Sequence, residues 1–346
     1  ILLDARQRVA DLFEATRTPE VFVLDQNRVV RYHGRVDDQY GISIQKDAPH
    51  RRELATALEE VLDGKPVTVA RTPTVGCLIG RQREIEPRGE ITYASHVAAI
   101  LNRRCVECHR EGQIAPFSLS TYEDVEGWEA MIAEVVQESR MPPWTANPAH
   151  GTFRNDTRLT PDEKDHLLTW IENGCPLGDP AEFPEPPQFA EGWRIPQPDQ
   201  VIYMADEPFA VPATGVVDYQ HFRVDPNWEE DRYVVAAEAR PGNAEVVHHI
   251  IAYVRVPGEE QRRRLGHMLI GYAPGSPPLE YEAGTAIFVP QGAQLLFELH
   301  YTPNGYAQYD RSYIGLKFTA KENVRRVVRG GYVAEGEFEI PPQASN

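Results

Sequence analysis

Between Cys175 and Gln200 the chain runs CPLGDPAEFPEPPQFAEGWRIPQPDQ, and this proline-rich stretch constrains the fold on both sides of it. Proline fixes φ, lacks a backbone donor and biases the preceding residue toward extended backbone, so such a run neither prolongs a helix nor enters the middle of a sheet. It reads as a semi-rigid, extended spacer. The hydrophobic pattern changes across it. Before it, apolar residues recur at helical spacing, as at Val97, Ile100 and Leu101 within YASHVAAILNRR. From Val201 onward, short alternating strands with Gly, Pro and Asn turns take over, at 219–224, 233–237, 246–256, 286–289 and 294–301. A chain of 346 residues with such a break is expected to form two or three bodies.

The densest chemical signal lies upstream. Cys105-Val106-Glu107-Cys108-His109 is a C-x-x-C-H run, the attachment site of a c-type haem. Two thiols three positions apart reach both porphyrin vinyl groups, and the next imidazole falls beneath the iron. The rival reading is half of a zinc site, but zinc takes four ligands and no second Cys pair exists. Downstream, Arg140-Met141-Pro142-Pro143-Trp144 sets a thioether on a proline-stiffened loop, and His/Met ligation raises a haem potential. Thr160-Pro161-Asp162-Glu163 then opens a capped helix that stops at Gly174. This order resembles a small class I cytochrome c across residues 89–182. The resemblance implies an all-α domain with one covalent haem c on Cys105 and Cys108. It further implies iron held by His109 and Met141, and a carbonyl from Ala115 or Pro116 on the second nitrogen of His109. Met141 as a core methionine, with His150 or His166 as the ligand, remains the alternative.

Haem attachment to C-x-x-C-H occurs outside the cytoplasm, so a periplasmic or extracellular location is expected. The two remaining cysteines, Cys77 and Cys175, can pair in an oxidising compartment or sit as separate small residues. The chain opens without Met, inside what reads as a strand, and is taken for a piece of a longer protein.

Residues 1–72 alternate helix and strand signals, with TPEVFVLD followed by YHGRVD and a closing helix RRELATALEEVL. They resemble the C-terminal two-thirds of a thioredoxin-like redoxin domain, a partial α/β segment whose Thr18-Pro19 bond is cis in that family. No cysteine precedes Cys77, so thiol chemistry is not expected there. Residues 73–88 read as a linker and 183–197 as the second, proline-rich one.

In the strand-rich part, His248 and His249 stand side by side and His300 follows about fifty residues later. Three imidazoles suit copper or zinc. Adjacent residues of a regular strand face opposite ways, so a bulge, a twist or coordination through the nitrogens nearest the backbone is required. HHIIAY, GYAPG and GAQLLFELHYTPNG resemble the N-terminal domain of ascorbate-dependent type II copper monooxygenases, over roughly residues 198–340. The resemblance implies an antiparallel β-sandwich, jelly-roll-like over 198–346, with one copper on His248, His249 and His300. That family's second, oxygen-activating domain would begin where this chain ends, and His267 and Met268, placed in a polar arginine-rich loop, are weak substitutes for its ligands. No catalytic residue is therefore assigned, and activity as a monooxygenase is left open.

The expected whole is a multidomain α+β redox protein relaying electrons between haem and copper. The alternative is a c-type cytochrome subunit of a larger assembly whose other domains are copper-free docking modules. Lys plus Arg is 35 against 52 for Asp plus Glu, a charge of −17 that disfavours nucleic acid and anionic membranes. It suits a redox protein partner or a larger membrane-associated redox complex. No apolar run of about 18 residues spans a membrane.

Overall fold

The computed structural model describes the chain except residues 1–3, 5–6, 43, 81–86, 145, 147–150, 154, 191, 257, 259–265 and 330–346. It divides into two compact units, residues 1–111 with 117–187, and residues 112–116 with 188–346.

The first unit opens with α1 (Arg8–Leu12), β1 (Arg17–Thr18), β2 (Val21–Leu24), β3 (Val30–Gly34), β4 (Tyr40–Gly41), β5 (Ile44–Gln45), α2 (Glu53–Leu62) and β6 (Cys77–Leu78). Among the described residues its named strands form two-stranded antiparallel pairs, β1 with β6, β2 with β3 and β4 with β5. The β2–β3 turn is set by Asp25, whose Oδ1 accepts the N–H groups of Asn27 (2.8 Å) and Val29 (3.0 Å). Val23, Tyr32 and Ala57 form the local core beneath α2. The Thr18–Pro19 and Met141–Pro142 bonds are cis.

The same unit continues with a π-helical turn (Tyr93–Val97) running into α3 (Ala98–Arg104), then α4 (Tyr122–Val125), α5 (Glu129–Gln137) and α6 (Pro161–Glu172). Thr160 and Glu163 close a reciprocal capping box at the start of α6. Trp170, 1% exposed, donates its indole N–H to the Pro176 carbonyl (3.0 Å).

These helices do not make the expected all-α cytochrome domain, and the expected fold class is corrected here. The protein is mostly β, 26% strand against 19% helix, with six short α-helices among the described residues and several open sheets. The physical reason is length. From α3 to α6 the helices run 7, 4, 9 and 12 residues, separated by turns rich in Gly, Ser and Pro. Segments this short draw their stability from tertiary contacts rather than from propensity.

The second unit contains β7 (Gln200–Tyr203), β8 (Phe209–Val211), β9 (Gln220–Val224), β10 (Arg232–Arg240), β11 (Val247–Arg255), β12 (His267–Tyr272), β13 (Leu279–Glu280), β14 (Thr285–Val289), β15 (Gln294–Tyr301), β16 (Gln308–Asp310), β17 (Tyr313–Phe318) and β18 (Arg326–Val328). One open sheet has the order β18-β14-β10-β17-β7 with β13 also on β10; the other is β12-β11-β15-β9. β14 and β18 run parallel, so the first sheet is mixed rather than wholly antiparallel. Both sheets supply one core, with Val234, Ala237, Ile314 and Leu316 from the first and Ile250, Phe297, Leu299 and Tyr301 from the second. Each fully buried large apolar side chain contributes roughly 1.5–3 kcal/mol by leaving water. β15 shows the period: Leu295, Phe297, Leu299 and Tyr301 point inward, while Glu298 and His300 fall on the outer face.

Candidate metal centre

The outer face of the four-stranded sheet carries the three histidines. Along β11 and β15 the paired residue numbers sum to 549 from Arg255↔Gln294 to His249↔His300, and then Val247 pairs with Tyr301. His248 is thus the extra residue of a β-bulge. Ile250, Ala252 and Val254 point into the core, and so does Val247, leaving His248 and His249 both on the outer side. The bulge is what lets neighbouring imidazoles share one target.

One ring nitrogen from each of His248, His249 and His300 lies within 4.8 Å of those of the other two. The Nδ1 atoms of His248 and His249, the nitrogens nearest the backbone, are 3.1 Å apart. Two ligands on one ion with bonds of about 2.0–2.1 Å in tetrahedral arrangement stand about 3.3 Å apart, so that pair already has a ligand spacing. Ring centroids are 5.0–5.3 Å apart. His300 Nδ1 is buried with no hydrogen-bond partner. Burial, and then the charge His248 would carry, depress the proton affinity of both His249 and His300. Neutral imidazoles are the form that binds a metal. The donor set therefore fits a borderline divalent ion or copper with coordination positions left open.

Two features of this face carry no signal in the linear sequence. Tyr219, the residue before β9, stacks on His300 at 4.9 Å between ring centroids and 13° between planes, and leans on His249 at 5.5 Å. Beside the triad, Glu298 accepts from the Tyr253 hydroxyl (3.2 Å) and pairs with His221 (2.9 Å). Only register on the sheet could have found them: Gln220↔Leu299 and His221↔Glu298 put Tyr219 across from His300. His267 and Met268 are not in a loop but open β12, where Met268 pairs with Tyr253.

The C-x-x-C-H residues lie in the first unit, on a helical turn continuing α3. The N–H groups of Cys108 and His109 both donate to the Cys105 carbonyl, at 3.1 and 2.9 Å. Both thiols and the imidazole thus leave from one turn. His109 Nδ1 faces the Phe117 carbonyl at 3.2 Å, not those of Ala115 or Pro116, which leaves Nε2 for a ligand. Phe117 packs against His109 at 4.7 Å and stacks on Trp128 at 3.8 Å. Burial pushes the Cys105 thiol up to about 12 and raises Cys108 as well, and it lowers the proton affinity of His109. Protonated thiols of this kind are poor nucleophiles, which argues against a reactive dithiol. The turn fits the attachment residues of a haem.

Met141 sits on the loop after α5 with 42% of its surface exposed, so it is not a core methionine. His166 packs edge-on against His96 at 4.9 Å, and His150 lies outside the described residues. Cys77 is exposed, Cys175 is buried, and no disulfide joins them. The structure gathers Cys105, Cys108 and His109 in one turn and the three copper-candidate histidines on one sheet face, and leaves Met141 on an exposed loop. No protein-family model matches the chain, and no curated protein matches it.

Proposed function

We propose that the chain is an electron-transfer protein of the periplasm or extracellular space. In it, one covalent haem c on Cys105 and Cys108 would exchange electrons with one copper ion on His248, His249 and His300. The observation that carries the reading is the bulge at His248, which costs a regular ladder position and turns two adjacent imidazoles toward His300. Copper between its two common oxidation states, and haem iron between its two, would each carry a single electron. The protein's own part is positional. The Phe117 carbonyl orients His109, Met141 on its exposed loop would offer the iron a thioether, and burial favours the neutral form of His249 and His300. Imidazole and thioether axial ligands raise a haem potential.

The formal charge of −17 favours a basic redox protein or a larger membrane-associated redox complex as partner. Among the described residues no helix is long and apolar enough to cross a membrane.

The test is iron and copper analysis of the protein made in a host that matures c-type haem. One iron and one copper per chain support the relay; iron without copper after copper loading overturns it. His300→Ala is expected to lose copper and keep the haem spectrum. Copper retained in that variant would refute the ligand assignment.

A further inference from the structure

The first unit also holds a pocket of about 380 Å3 that shares no residue with either site. It is lined by Glu14, Thr16, Glu20, His33 and residues 71–74. Its inner wall is a buried polar pair. The Glu20 side chain is 3% exposed, and its Oε2 accepts the N–H groups of Thr16 (2.6 Å) and Arg17 (3.1 Å). Its Oε1 lies 2.5 Å from His33 Nε2. A buried carboxylate is tolerated when its lone pairs are met in this way. Glu20 is therefore spent inside the wall, and a ligand entering the pocket meets His33 instead.

The imidazole of His33 is 23% exposed and is held flat against Phe22 at 4.3 Å and 13°. Next to it comes Arg71. The two residues form a parallel bridge, with His33 N–H donating to the Ala70 carbonyl (3.0 Å) and Thr72 N–H to the His33 carbonyl (3.1 Å). Parallel bridge partners project to the same side. Arg71 is exposed and makes no ion pair among the described residues, and the hydroxyls of Thr16 and Thr74 make no hydrogen bond among them. An unpaired guanidinium and two free hydroxyls thus line one cavity, beside an imidazole whose Nε2 is spent on a buried acid. That donor set recognises an oxyanion, and the planar guanidinium fork matches a carboxylate in particular. Glu14, at the exposed rim, disfavours a doubly charged ligand.

We propose that this pocket binds a small monocarboxylate, gripped by the Arg71 guanidinium with hydroxyl donation from Thr16 and Thr74, beside the His33 ring. The test is an NMR titration of the whole 346-residue chain at constant ionic strength, following the His33 ring signals, identified by their loss in His33→Gln. Acetate is one probe and inorganic phosphate the other. Saturable movement with acetate is expected, at lower concentration than any response to phosphate. Because the charge-assisted pair is removed, Arg71→Ala is expected to bind acetate about tenfold more weakly or worse. Arg71→Lys should recover part of the loss. A thermal unfolding curve of ligand-free Arg71→Ala that matches the parent would show that the fold is intact. No saturable response to acetate, an equal response in Arg71→Ala, or tighter binding of phosphate would each overturn the proposal.

Discussion

Asp310 ties together the two strands that carry the imidazoles, and Asp310→Asn measures how firmly. The residue is 1% exposed. Its Oδ2 accepts the Tyr301 hydroxyl (2.8 Å), the Ser312 hydroxyl (2.8 Å) and the Ser312 N–H (3.2 Å), and its Oδ1 accepts the Asn243 N–H (2.9 Å). Tyr301 follows His300 on β15. The Asn243 carbonyl in turn receives the Val246 and Val247 N–H groups, just ahead of the bulge. Burial, and then the charge of Asp310, raise the Tyr301 hydroxyl well above its ordinary range, so it stays a donor.

An amide has one oxygen where the carboxylate has two. Whichever way it is turned, its NH2 faces either the Ser312 or the Asn243 backbone N–H. Hydroxyls can rotate to accept; those N–H groups cannot. One stranded buried donor costs about 1–3 kcal/mol, and the remaining bonds lose their charge assistance, about 1 kcal/mol more. The net is about 2–4 kcal/mol, or roughly 5–15 °C in the melting of the second unit. Tyr301→Phe removes a single donor and should cost about 1 kcal/mol. Thermal unfolding of the metal-free protein at neutral pH, followed by circular dichroism, gives both values. Asp310→Asn melting within about 2 °C of the parent, or Tyr301→Phe costing more, would refute the clamp.

The metal-free protein should lose stability on mild acidification. His249 and His300 bind protons more weakly folded than unfolded, so the unfolded chain holds more protons below about pH 6.5. Their contribution is complete above that pH and is lost as pH falls toward the folded values; a melting temperature flat across this window would contradict it. His248→Ala, at an exposed bulge position, should leave stability within about 0.5 kcal/mol and weaken copper binding by tenfold or more, read by chelator competition. Glu163 receives Arg103, Arg104 and the Thr160 N–H, so Glu163→Gln should destabilise the first unit by about 1–3 kcal/mol in urea unfolding. Burial works upward on the Glu163 carboxyl, but the bonds it accepts hold it below the ordinary range, so its contribution is present above that range and lost on acidification.

What could be read from the sequence was what is decided within a few residues. Thr160 and Glu163 announce α6 because a capping box closes over four positions, and Val97, Ile100 and Leu101 announce a helix because 3.6-residue spacing is local. The strands β11 and β15 were legible by alternation. The all-α expectation failed for a non-local reason. Each helical signal between 89 and 182 was real, and even the end of α6 before Gly174 was legible; what no short window shows is how helices of 4 to 12 residues pack together.

The same limit governs the candidate metal centre. His248, His249 and His300 could be nominated, and the need for a bulge could be stated, because strand alternation forbids the pair otherwise. Where the extra residue sits is decided by β15, which pairs Tyr301 with Val247 and His300 with His249. Tyr219 and Glu298 were invisible for the same cause: each joins the triad's surroundings through its partner across the sheet and through no motif of its own. The choice of Phe117 rather than Ala115 or Pro116 to face His109 is likewise a matter of how a loop turns back, since the Leu119 N–H donates to the His109 carbonyl at 2.9 Å and so sets which carbonyl arrives. The candidate ligands are thus marked by residue type and their geometry by pairing; a substitution on β9 or β15 that shifts register by one residue would turn all these side chains to the other face while leaving every motif intact.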